Sequence, residues 1–229
     1  MNKRRYFFYM IVIAAMMFWI SAETEAEEKT KTTIMYVKND VEVRKKPILK
    51  SGKTGRIYAL DSVKTMGTED GWTTIKHKGQ IRYVKRKYLT KKKPRYVIKS
   101  APENSFKSYE SYQPLRYSQG RLQRRAYTDK NGLRKVGNRF CIAMGSYYTT
   151  RIGCKIDLLM SDGEVVKCIL ADQKSDRHTD SRHQKHRSDG SLVEFVVDKH
   201  KLTSKVKRYG DVSKLGQFKQ SVRKVRVYL

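Results

Sequence analysis

The sequence predicts an all-β protein, two small barrels joined by a flexible linker and preceded by an N-terminal export segment. Three observations carry this. Short apolar–polar alternations recur over 33–90 and again after 126, punctuated by turn residues. The stretch between them is rich in lysine, serine and tyrosine and lacks apolar periodicity. No part of the chain after Ala22 reads as a helix longer than two turns.

The first element is the N-terminal segment. Lys3, Arg4 and Arg5 precede an apolar run from Tyr6 to Ile20, which ends at Ser21-Ala22 and gives way to Glu23, Glu25, Glu27 and Glu28. A basic start, an apolar middle and a small residue at the cut are the parts of a secretory signal over 1–22. The run is shorter than the roughly 20 apolar residues that span a bilayer, which favours cleavage after Ala22 over an uncleaved anchor. Only in the anchored case would the membrane be a partner. Localisation is therefore expected to be extracytoplasmic, secreted or cell-wall associated.

The second element spans 33–91, where turns at Ser51-Gly52, Asp70-Gly71 and Lys78-Gly79 separate short strands, as in a small β-barrel. The linker follows over 92–125, with Pro94, Pro102 and Pro114. A second all-β domain over 126–229 has strand-like runs at 140–144, 155–160, 165–171, 192–197 and 222–229, and a short helix is expected at 213–218.

The formal net charge is +29; Lys3, Arg4 and Arg5 carry three units of it, so a chain cleaved after Ala22 keeps +26. Such a surface attracts polyanions. Export turns that inference away from intracellular nucleic acid and toward anionic wall polymers. Cys141, Cys154 and Cys168 are odd in number, so at least one thiol is unpaired within the chain. Their apolar surroundings read as buried strand positions, and no spacing suggests a cofactor or a metal centre.

Between Val41 and Leu89 the sequence resembles a bacterial SH3 domain. Val41-Glu42-Val43-Arg44 stands where the family has Asn-Val-Arg, Gly71-Trp72-Thr73-Thr74-Ile75 matches Gly-Trp-x-x-Val, and Ile81-Arg82-Tyr83-Val84 with Tyr88-Leu89 matches the closing motifs. The resemblance implies an SH3-like barrel that binds peptidoglycan without catalysis, with Trp72, Tyr83 and Tyr88 as ligand-binding candidates. Trp72 is also read as a core side chain of the barrel.

The segment from Ile152 onward resembles the 3D domain, a double-psi β-barrel of exported wall proteins related to rare-lipoprotein-A-like transglycosylases. Ile152-Gly153-Cys154-Lys155 matches its opening strand and Ala171-Asp172 its first acidic motif. Ser191 to Asp198 matches its second acidic strand, with Glu194 in place of aspartate, and Val222 to Leu229 matches its closing strand. The resemblance implies a wall-active domain with possible lytic transglycosylase chemistry; the alternative is a non-catalytic wall- or polyanion-binding protein.

A lytic cut needs one carboxyl with a raised pKa, able to protonate the leaving oxygen and then take a proton from the sugar's own hydroxyl. Asp172, at the end of an apolar strand, is the candidate acid, with Glu194 beside it. Hydrolysis would need two acids about 5–5.5 Å or about 6.5–9.5 Å apart. The loop 173–190 gathers His178, His183 and His186 with several aspartates, but the interleaved lysines and arginines read as a solvated surface rather than a metal site. Cys141 with His178 or His200 is a further nucleophile–base pairing, of the NlpC/P60 peptidase type, although that family's Asp-Cys-Ser-Gly helix start is absent.

Overall fold

The computed structural model describes residues 32–103, 106–113 and 116–229. The expected signal at 1–22 lies outside the described residues. No described helix is long and apolar enough to cross a membrane.

The first sheet holds β1 (Thr33–Val37), β2 (Val41–Arg44), β3 (Lys53–Ile57), β4 (Ser62–Glu69), β5 (Trp72–His77), β6 (Gln80–Lys85) and β7 (Leu89–Thr90). Its order is β3-β2-β6-β5-β4-β1-β7, antiparallel throughout. The tight turns at Asp70-Gly71 and Lys78-Gly79 have positive φ at both central residues, which matches the twist of the flanking strands. Val37, Val43, Ile75, Val84 and Leu89 form its dry interior.

The second sheet is assembled from β8 (Tyr96–Ser100), β9 (Phe106–Ser111), β10 (Tyr127–Thr128), β11 (Arg134–Val136), β12 (Arg139–Met144), β13 (Lys155–Met160), β14 (Val165–Gln173), β15 (Ser191–Val197) and β16 (Val222–Tyr228). The main path runs β10-β11-β12-β14-β13-β16-β8, and β15 joins β12 to β9. Two of its pairings are parallel, β12 with β14 and β9 with β15. Among the described residues the α-helices are α1 (Tyr117–Arg125) and α2 (Ser204–Tyr209). In place of one short helix at 213–218 there are two single 3₁₀ turns, Val212–Lys214 and Gly216–Phe218.

The stretch 92–125 is not a linker. It supplies β8, which pairs antiparallel with the closing strand β16, then β9, which pairs in parallel with β15, then α1. These strands are held largely by ladder hydrogen bonds to neighbours far along the chain, so their own side chains need not alternate. The second sheet therefore begins at Tyr96 rather than near residue 126.

The sheet is apolar on both sides. Leu158, Leu170, Phe195 and Phe218 fill the larger interior, where the Phe195 and Phe218 rings lie 4.9 Å apart. Cys141, Ile169, Ala171 and Val196 form a smaller cluster on the opposite face, covered by Leu122 of α1. Asp157, almost fully buried, ties β13 to β16 by accepting from Arg139 at 2.9 Å, Arg226 at 3.1 Å and the Tyr228 hydroxyl at 2.7 Å.

Candidate functional site

The face under α1 carries the acidic residues. Along β12, Ile142 and Met144 point into the larger core while Cys141 lies in the cluster under α1, so Ala143 belongs to the α1 face. Ala143 pairs with Glu194 of β15 on one side and Asp172 of β14 on the other. Simple alternation from Ala171 would turn Asp172 inward. A one-residue register shift between Ile142 and Ala143 absorbs Ala171 and brings Asp172 round to the face of Glu194. Helix α1 closes over it: Gln119 Nε2 donates to Asp172 Oδ1 at 3.0 Å, and the Gln173 amide donates to the same oxygen at 2.7 Å.

A third acid joins from the stretch expected to be linker. On β9, Ser108 is in register with Glu194 and Glu110 with Val196, so both project on the α1 face. Burial first, and then the negative charges of Asp172 and Glu194, push the Glu110 carboxyl up to about 8, with Lys174 opposing. Glu110 is thus the acid that holds a proton near neutral pH, the role expected of Asp172. A single acid between serines and a tyrosine gave no signal in the sequence.

Lys174 lies beneath the cluster with its side chain 2% exposed. Its ammonium donates to Ser191 O at 2.8 Å and Ser191 Oγ at 2.7 Å, and lies 3.0 Å from Glu194 Oε1. Ser191 Oγ also donates to Glu194 at 3.3 Å. Ser108 Oγ, buried on the same face, has no hydrogen-bond partner among the described residues. The arrangement is chemically asymmetric: one carboxylate paired with a cation, one bonded to amides, and one protonatable.

In the first sheet Trp72 is buried, 6% exposed, but outside the interior cluster. Ile75 and Val84 face the core, whereas Trp72 lies on the opposite side of β5, opposite Lys85, whose ammonium sits 4.3 Å from the indole centroid. The ring is buried against a groove of about 400 Å³, shared with Tyr88, Leu49, Glu42 and Lys87. Tyr83 does not line it. Glu42 is held below the usual carboxylate range by a hydrogen bond from Lys53, and it also pairs with Arg44 at 2.7 Å.

The loop 173–190 is knitted to itself, to the end of β12 through the Lys174 amide on Met144 O, and to the turn that follows. Thr179 Oγ1 and His183 Nδ1 are 3.0 Å apart, the His178 and His186 rings lie 5.9 Å apart, and Ser146 bonds Asp176 at 2.7 Å. Among the described residues, no group of His, Cys, Asp or Glu is arranged to hold a metal ion. Cys141 is fully buried and its thiol is pushed up to about 12 by burial, which removes it as a nucleophile with His178 or His200.

No protein-family model, curated protein or solved structure matches this chain.

Proposed function

We propose that the protein is exported, that its first sheet is an SH3-like barrel binding peptidoglycan, and that its second is a double-psi β-barrel of the 3D type acting on the wall glycan. The two parallel pairings, β12 with β14 and β9 with β15, are of the kind such a barrel needs. The observation that carries the catalytic reading is Glu110, whose carboxyl is pushed up to about 8 by burial and by two further acids, Asp172 and Glu194, on the same sheet face. In this reading Glu110 protonates the glycosidic oxygen and then, as a carboxylate, accepts the proton of the attacking sugar hydroxyl. Asp172, oriented by Gln119, and Glu194, paired with Lys174, stabilise the positive charge that develops on the sugar. The groove at Trp72 and Tyr88 offers an aromatic floor with both charge signs at its rim, suited to a wall peptide.

The rival reading is a non-catalytic wall- or polyanion-binding protein. It is favoured by the completeness with which Glu194 and Asp172 are already bonded within the fold. Incubation of the purified protein with sacculi in low and high salt separates the two. Release of anhydro-sugar fragments supports cleavage; retention without fragments supports binding alone.

A further inference from the structure

Between the two sheets lies a cleft of about 460 Å³. Asn39, Asp40 and Tyr58 line it from the first sheet, and Arg125, Asn138 and Lys155 from the second. The walls are in contact. Lys167 Nζ lies 2.5 Å from Asp61 Oδ1, and Gly137, at a φ of 60°, is so close to the first sheet that a Cβ there would lie 3.2 Å from both the Tyr58 ring and Asp40.

The charges in the cleft are not balanced. The Arg139 guanidinium at its base is spent on Ile156 O, Cys168 O and Asp157. One oxygen of Asp40 accepts from the Ala59 amide at 3.0 Å. The ammonium of Lys155, a half-buried residue, makes no ion pair or hydrogen bond among the described residues. Its charged form is disfavoured by burial and then by Arg139, with Asp40 and Asp61 offsetting part of this. Arg125, at the end of α1, likewise has no partner among the described residues. A partly desolvated ammonium in the same cleft as an unpaired guanidinium gains from an anion placed between them, and the planar fork of arginine suits a phosphate or carboxylate.

We propose that this cleft is a binding site for a small anion, a single phosphate or carboxylate group gripped between Lys155 and Arg125, with Asn39 and Tyr58 of the first sheet completing it. Neither sheet alone makes the site. The proposal is independent of the wall reading, since it requires neither the acidic face under α1 nor the groove at Trp72.

The test is an amide-shift titration of the purified protein at pH 7 by nuclear magnetic resonance. Sodium phosphate is one arm and sodium acetate the other, with ionic strength held constant by sodium chloride. Saturable shifts are expected at Lys155 and Asn138 and across the cleft at Asn39. Lys155→Met and Arg125→Gln should each weaken binding at least tenfold, while Lys219→Gln, at an exposed site elsewhere, should leave it unchanged. Arg125 is exposed, so its variant retains the fold even if the lysine variant does not. Saturation with phosphate alone or acetate alone identifies the group. Shifts that only grow linearly in both arms, or that persist undiminished in Arg125→Gln, overturn the proposal.

Discussion

Lys174 Nζ lies 3.0 Å from Glu194 Oε1, with the lysine side chain 2% and the glutamate 18% exposed. A cation this deeply buried is stable only while its partners remain, and breaking such a pair from one side costs about 3–5 kcal/mol. Lys174→Met should destabilise the protein by about that much in denaturant unfolding at pH 7. Adding Glu194→Gln should recover part of the loss, so that the double variant is less destabilised than the two single changes added together. Additive losses would show that the two charges do not act as a pair.

Glu110 makes a pH prediction whose sign is fixed by linkage. Its folded-state pKa, about 8, lies above the ordinary 4.5, so between those values the folded chain holds a proton that the unfolded chain has released. This group's contribution therefore makes stability fall as pH rises through that window and level off above it. Glu110→Gln removes the decline. Relative to wild type it should be neutral near pH 4 and more stable above pH 8. Each pKa unit corresponds to about 1.4 kcal/mol, and solvent reaching a half-buried group keeps the gain to a few kcal/mol at most. Thermal unfolding across pH 4–9 reads it directly, and parallel curves for the two proteins would refute it.

The groove at Trp72 predicts two components of wall attachment. Contacts between exposed charges are screened within about 10 Å at 0.1 M salt, whereas aromatic stacking is not. Tyr88 packs against the interior of the first sheet and also lines the groove. Tyr88→Leu keeps apolar bulk at that contact while removing the ring face. The salt-resistant fraction bound to sacculi should fall several-fold, with the low-salt fraction little changed. Equal retention of both fractions would move the ligand away from this groove.

Much of the strand framework was legible because apolar alternation writes it directly. The runs expected at 140–144, 155–160 and 222–229 correspond to β12, β13 and β16 within a residue or so. Burial of Trp72 was legible from its size, but residues three apart on a strand point opposite ways, so it covers the face of β5 away from Ile75. Strands β8 and β9 were missed because their pairing partners lie far away in sequence; on β9, serine, lysine and glutamate occupy positions where only the backbone reveals the ladder. Asp172 and Glu194 were legible as residue types, but what brings them onto one face is a single-residue bulge, which leaves no compositional mark. Burial of Lys174 runs against the usual exposure of lysine and follows only from its three partners.

The catalytic reading makes its most discriminating prediction by dividing labour among the three acids. If a proton on Glu110 is what the reaction spends, Glu110→Gln should abolish release of anhydro-sugar fragments, because an amide can neither give nor take that proton at neutral pH. Asp172→Asn leaves an oxygen able to accept from Gln119 and the Gln173 amide, so the fold should hold. It also removes one of the two negative charges that raise the Glu110 carboxyl, so the alkaline limb of the pH–rate profile should move to lower pH and the rate at pH 7 should fall without vanishing. Glu194→Gln should shift the limb in the same direction, but it also strands Lys174 and so should lose stability as well. Asp172→Asn abolishing release, with Glu110→Gln retaining it, would return the acid role to Asp172. A wild-type protein that binds sacculi but releases nothing, on intact and peptide-stripped glycan alike, would assign the second sheet to binding and leave Glu110 as a structural acid whose pKa only reports its burial.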